Sequence, residues 1–215
     1  MNETITPVAR PDLGSEEQES RSAATREKLL GAAYQILSES RHAGLRSANV
    51  STLSGVSRGG LLHHFPTKED LVAATYERIV LQMERASWER IETAPDDGLL
   101  EAIVEDARAR FFSDSYKVML DILVASAKEK PLADTRKALA ERLQPTTRQG
   151  WAQRLAATGI SADMARHVTV FLWNMVRGLA VRAVVEGNEE LSGRVIALGL
   201  QLAQRRCDAS RVADR

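Results

Sequence analysis

From Thr25 onward, almost every stretch of this chain repeats its apolar residues with the period of an α-helix, and that leaves few folds open. Leu29, Ala33, Ile36 and Leu37 share one face of a first helix, with its N-cap expected at Ser22 or Thr25. A compact stretch follows at about 45–65. Val72, Tyr76, Ile79 and Met83 then mark a long helix from about Lys68 to Glu92, ended by Pro95, Asp96, Asp97 and Gly98. Leu100, Ile103, Val104, Ala107 and Phe111 line another helix. Val118 to Ala125 is nearly all apolar around Asp121, which predicts burial on most sides. Pro131 separates it from a helix starting near Leu132, and Pro145 and Gly150 are expected to kink or break that helix. Ser161 is expected to cap a helix running to about Glu186, Gly187-Asn188 to end it, and a last helix to run from Glu189 to Cys207. No convincing strand, repeat or low-complexity block interrupts this pattern. The expected fold class is all-α.

Composition narrows the function classes. Basic and acidic residues balance at 29 each, so a nucleic-acid footprint has to be local. A single cysteine, Cys207, forms no intramolecular disulfide, which fits a reducing compartment and a cytoplasmic protein. No run of about 18 apolar residues or signal-peptide core stands out, so no membrane partner is expected. Residues 1–22 carry five acidic and two basic residues and few bulky apolar groups, and read as a disordered tail. The expected organisation is this tail, a DNA-binding domain at 23–67, a helical body at 68–207, and a short tail at 208–215.

The stretch from Leu45 to Phe65 carries the functional signal. It reads as two short helices joined by a glycine turn. Ser47 is expected to cap the first, with Val50 and Leu53 facing inward. Gly55 supplies the left-handed backbone of the reversal, Val56 packs the corner and Ser57 caps the second helix. Leu61 and Phe65 point inward there, leaving Arg58, Gly59, Leu62 and His63 outside. Two short helices crossing at a glycine turn form the geometry that places a helix in the major groove.

Three pieces in order resemble the DNA-binding domain of the TetR family. They are Thr25-Arg26-Glu27-Lys28-Leu29-Leu30-Gly31-Ala32-Ala33, the corner Val50-Ser51-x-x-Ser54-Gly55-Val56-Ser57, and His64-Phe65-Pro66-Thr67-Lys68-Glu69-Asp70-Leu71. The match covers about a quarter of the chain. The resemblance implies a helix-turn-helix that binds double-stranded DNA at a palindromic operator, an all-helical body enclosing a small-molecule effector, a homodimer, and repression as the usual outcome. This chain departs from the family pattern in places. Leu62 stands where a tyrosine is usual, Gly60 where threonine, serine or alanine is common, and Ser51 and Ser54 where alanines are usual. Gly59 and Gly60 weaken the recognition helix by about 1 kcal/mol each relative to alanine. The helix then either orders fully on DNA or brings bare backbone close to phosphates or a thymine methyl.

Arg58 is the candidate base reader, because a guanidinium can bond guanine O6 and N7 together. His63 is placed to reach a base or a phosphate, and His64 to pack within the domain. Lys68, at a helix start with free amides nearby, suits a phosphate. Ser47, Asn49 and Ser57 suit either a backbone contact or a cap. Gly59, Gly60 and Leu62 complete the expected DNA face.

In the body, Trp88, Phe111, Phe112, Met119 and Trp151 are candidates for a ligand pocket or for plain core. Asp121, Asn174 and Arg177 are polar groups set in apolar runs, where burial demands partners. An Asp121–Arg177 pair, a ligand contact, or an arginine crossing a dimer seam are all open. The two C-terminal helices are expected to form the dimer. Phe171, Met175 and Leu179 on the first exceed one core stripe, and Leu191, Val195, Leu198 and Leu202 form a stripe on the second. Gly178 and Gly199 allow close helix approach. No phosphate loop, nucleophile elbow or zinc spacing occurs, so no enzyme, metal or cofactor is expected. The competing reading is a helical ligand-binding or scaffold protein with a vestigial helix-turn-helix.

Overall fold

The computed structural model describes residues 13–126, 133, 134, 137, 141, 146–186 and 189–213. Among them it is all helix, in two compact units, Met1–Leu71 and Val72–Arg215. The expected helix near Leu132, Pro145 and the Gly187-Asn188 stop lie outside the described residues, or nearly so.

The first unit is built on α1 (Leu13–Gly44), α2 (Ser47–Ser54) and α3 (Arg58–His64). Leu29, Leu30, Ala33, Ile36 and Leu37 of α1 meet Leu45, Val50, Leu61, Phe65 and Leu71 in one small core. α1 begins at Leu13, well before the expected cap. Thr25 is not a cap, since its Oγ1 donates to the Arg21 carbonyl one turn back. Residues 13–22 are therefore helical rather than disordered, although 18–24 are all exposed. Near its end α1 bends at Arg41, a non-glycine residue at φ 61° and ψ −179°. The unit closes a little past the expected boundary at 67, because the first turn of α4 (Lys68–Thr93) belongs to it. Leu71 is buried there, and Lys68 Nζ donates to the His42 carbonyl at 3.2 Å.

The second unit comprises the rest of α4 with α5 (Leu99–Phe111), α6 (Asp114–Ser126), α7 (Thr147–Ala156), α8 (Ala162–Glu186) and α9 (Glu189–Ala213). α8 is the central helix and packs on α5, α7 and α9. Its Val168, Leu172, Trp173 and Val176 face Ile103, Val104, Ala107 and Trp151. The Ser161 hydroxyl accepts from the Met164 amide at the start of α8, as a cap should. Gly150 does not break α7. A Cβ there would lie 2.7 Å from Trp88, so glycine makes room for the indole within a continuous helix. α6 is less buried than its composition suggests: Val118 and Ile122 face the core and Val124 faces solvent. α9 runs on to Ala213, past the expected end at Cys207.

A buried polar network joins α4, α5 and α7. Asp106 is fully buried and accepts from Trp151 Nε1 at 2.8 Å, Ser87 Oγ at 2.8 Å and Arg90 at 3.1 Å. Arg110 pairs with Glu84 at 2.7 Å. Glu84 also accepts from the amides of Thr146 and Thr147, where a carboxylate complements the exposed N–H groups of a helix start.

Two stability tests follow from this packing. Asp106→Ala takes the acceptor from a buried indole N–H and from the proton of a buried hydroxyl, at about 1–3 kcal/mol each, so urea unfolding at fixed protein concentration should show a loss of about 3 kcal/mol. A Cβ on Gly60 would lie 2.9 Å from Val56 Cγ1, whereas one on Gly59 meets nothing within 4 Å. Gly59→Ala should therefore raise the melting temperature, by about 1 kcal/mol of helix propensity, and Gly60→Ala should lower it.

Candidate nucleic-acid interface

The turn between α2 and α3 is made by Gly55 at φ 69°, which caps α2 in the left-handed conformation. The Ser54 hydroxyl accepts from the Val56 amide at 3.2 Å, so a serine in place of the usual alanine ties the corner. Ser57 caps α3 by accepting from the Gly60 amide at 3.1 Å. Gly60 is half-buried against Val56, which accounts for a residue without a side chain at this position. The Ser51 hydroxyl is enclosed without a partner among the described residues, and nothing in the packing explains it.

α3 divides its residues cleanly. Leu61 and Phe65 are buried, and Arg26 of α1 lies 5.4 Å from the Phe65 ring centre. Arg58, Gly59, Leu62 and His63 are exposed, and His64 is half-buried against Phe65. Ser47 and Asn49 are exposed on α2. Ser47 is the first residue of that helix rather than its cap; Arg46 holds the cap position without a side-chain bond. Asn49 Nδ2 donates to the Gly44 carbonyl at 3.2 Å. Leu53 was expected inside and is 46% exposed, because so short a helix buries only Val50.

At the start of α4 two of the amides, those of Thr67 and Asp70, are already bonded. Thr67 and Asp70 form a reciprocal capping box, each amide donating to the other's side chain. Lys68 spends one ammonium proton on the His42 carbonyl. Sequence patterning missed a stronger electrostatic feature. Between Glu39 and Glu69 the chain carries Arg41, Arg46, Arg58 and Lys68 and no carboxylate. Arg41 and Arg46 are both exposed. A charge count over this window, instead of over the whole chain, finds the local basic footprint.

The expected pocket residues scatter. Trp151 is fully buried and bonded to Asp106, and Phe111 packs edge-on against Tyr116 and Trp173, so both are core. Trp88 is half-buried and donates to Thr146 Oγ1. Phe112 caps α5 and is partly exposed; Met119 and Asp121 are half-buried on α6. Asn174 and Arg177 are exposed, so they are not the buried polar groups their apolar neighbours suggested. An open groove of about 470 Å³ lies between α7 and α8 near Arg148 and Arg166, and none of these candidates lines it. Sequence reasoning missed Glu84, Asp106 and Arg110. The signal was there in acidic and basic residues set on the apolar faces of α4 and α5. Arg110 Nε and Trp173 Nε1 are buried without a hydrogen-bond partner among the described residues. Burial raises the Tyr116 pKa beside them, partly offset by the Arg177 charge.

α8 and α9 expose apolar side chains that their own unit does not cover. Phe171, Val181, Val184 and Val185 of α8 and Leu198 and Leu202 of α9 are exposed. Met175, Leu191 and Val195 are half-buried. Leu179 is buried in its own unit and is a core residue rather than a free one. Gly199 packs on Met175 within the unit, while Gly178 faces open space. Contrary to the reading of the sequence, Ala162–Val185 is long and apolar enough to cross a membrane by length and composition. Its apolar groups are shared between the core face and this exposed face. 

Comparison with known proteins agrees with this geometry. No family model matches the chain. The HTH-type transcriptional regulator CymR of Pseudomonas putida is 34% identical over 190 residues, covering 88% of this chain and 94% of the relative. A TetR transcription regulator from Haloarcula marismortui superposes with a TM-score of 0.64 at 19% identity, covering 87% of this chain and 98% of its own. A putative transcriptional regulator from Saccharomonospora viridis, solved in complex with choline, gives 0.61 at 17% identity, covering 85% and 95%. The intact helix-turn-helix, its local basic charge and the relative aligned over nearly its whole length make one conclusion: the chain belongs to the TetR family of DNA-binding, helix-turn-helix transcriptional regulators and is not an enzyme.

Proposed function

We propose that this regulator is a repressor that grips a palindromic operator as a homodimer and is released by a small molecule bound in its helical body. The observation that carries the DNA half of this reading is the outward face of α3. Arg58, Gly59, Leu62 and His63 are exposed together, in a segment free of carboxylates from Ser40 to Lys68. Arg58 reads a base, and Arg41 and Arg46 supply phosphate contacts that the sequence pattern did not single out. Lys68 contributes to a phosphate only with the donors that His42 leaves over. Ser57 and Gly60 act mainly by shaping α3, and Ser47, Asn49 and His63 border the groove.

The two-fold partner is a second copy joined through α8 and α9. On α8, Phe171, Asn174, Gly178, Val181 and Val185 are exposed at alternating spacings of three and four, the seam pattern of paired helices. Leu191, Val195, Leu198 and Leu202 repeat that spacing on α9. Paired with their copies, these helices form a four-helix bundle. This places Asn174 in the seam rather than in a pocket, and it accounts for the apolarity of α8 without a membrane.

The effector is assigned to the body, beside the aromatic cluster of Phe111, Tyr116 and Trp173. Two buried donors there, Arg110 Nε and Trp173 Nε1, lack acceptors among the described residues, and an effector oxygen would satisfy them. The Saccharomonospora viridis protein is in complex with choline, which supports a small-molecule ligand for a protein of this fold. Coupling follows α4, which starts in the first unit and carries Glu84 and Ser87 into the buried network. A ligand changes operator affinity only by its differential affinity for the two states of that network.

Binding titrations test the DNA reading. Arg58→Ala should cost about 1–3 kcal/mol and relax preference at one base position. Arg46→Ala should weaken binding evenly across sequences and reduce the salt slope by about one ion. A wild-type protein that binds its own promoter no better than random DNA at physiological salt contradicts the proposal.

Sedimentation tests the dimer. An interface of this class buries more than about 1,200 Å². Leu198→Glu with Leu202→Glu should give monomers or aggregates that no longer bind a palindrome, while wild type remains a dimer at micromolar concentration. A wild-type monomer at that concentration rules this arrangement out.

A further inference from the structure

We infer that Leu62 is a specificity-determining residue that reads the C5-methyl group of a thymine in the major groove, on the same helix face as Arg58. The inference rests on α3 being the DNA-reading helix and adds the chemistry of a second base position.

α3 spends its apolar residues on two different faces. Leu61 and Phe65 satisfy the core of the first unit, at 2% and 4% exposure. Leu62 lies beside them in sequence and is 43% exposed. It follows Arg58 by four residues, so the two side chains are neighbours on one helix face. The rest of that face is Gly59 and His63, both exposed. A Cβ on Gly59 would touch nothing within 4 Å, so the backbone there stands open to close approach. Nothing else on this face is apolar, and no carboxylate lies nearby in sequence to repel a duplex.

A lone exposed leucine is ordinary on a protein surface. On a face that docks against DNA it is not neutral, because docking removes both the leucine and its counterpart from water. Phosphates and most base edges are acceptors or donors, and covering them with a butyl group costs free energy without returning a hydrogen bond. The thymine methyl is the one apolar group on the major-groove edge of the base pairs. Leu62 therefore rewards thymine and penalises the other bases opposite it. Four residues of helix rise about 6 Å, against about 3.4 Å per base pair, so with α3 lying along the groove the thymine sits about two base pairs from the base that Arg58 reads.

Deoxyuridine differs from thymidine only by this methyl and tests the inference atom by atom. An operator from the chain's own promoter is defined by footprinting. Each thymine of the half-site is then replaced by uracil, symmetrically in both halves, and full-length protein is titrated against each duplex. Wild type should lose about fourfold in affinity per half-site at one thymine position, the worth of one apolar carbon group. Leu62→Ala should bind the thymine and uracil versions of that position equally, while keeping the wild-type preference at the base assigned to Arg58. Since Leu62 is outside the core, the variant should keep the wild-type melting temperature. If wild type shows no uracil penalty at any position, or Leu62→Ala retains the full penalty, the assignment is wrong although DNA reading by α3 stands. If wild type fails to prefer the unmodified operator over random DNA, the reading of α3 itself falls and this inference with it.

Discussion

A recognition helix of seven residues cannot hold itself together. Helices shorter than about 12 residues are marginal in water, and two glycines make this one worse. Everything at the DNA face therefore depends on two anchors, Leu61 and Phe65, both buried in the core of the first unit. The corner adds three local constraints: Gly55 in the left-handed region, the Ser57 cap, and the close approach of Val56 to Gly60. With the inward side fixed in this way, Arg58, Gly59, Leu62 and His63 are left outward by geometry. The functional face is the complement of the packing face.

A second dependence ties the first unit together at the end of α1. The His42 carbonyl accepts from the Leu45 amide and from Lys68 Nζ, so the α1 terminus, the start of the helix-turn-helix and the first turn of α4 converge on one oxygen. Arg41 sits one residue earlier in a backbone conformation that L-residues rarely adopt. α4 then continues into the second unit, where Glu84 and Ser87 enter the buried network with Asp106, Arg110 and Trp151. Asp106 is satisfied there by Trp151, Ser87 and Arg90, while Arg110 Nε has no partner among the described residues.

Much of the DNA-binding half was legible in the sequence, because its logic is local. The inward pair four residues apart, the glycine corner, the Ser57 cap and the outward set are all set by spacing within about 20 residues. The failures there are also local. Residue type points Leu53 inward, but α2 is too short to bury two residues, and Ser47, expected as the cap, is the first helical residue after an Arg46 cap. The body was less legible, since its polar network pairs residues 16 to 63 positions apart. Spacing alone does not reveal such partners. Asn174 and Arg177 misled for a related reason. α8 is apolar on two faces, so apolar neighbours in sequence did not imply burial of the polar residues between them.

The central claim is that two copies of this chain present two α3 helices to one face of the duplex. Hydroxyl-radical footprinting on the chain's own promoter tests it directly. Binding through a two-fold dimer predicts protected patches related by symmetry, with centres separated by about one helical turn of 10–10.5 base pairs or a multiple of it. A single unsymmetric patch, or protection that slides without a fixed centre, would contradict the account.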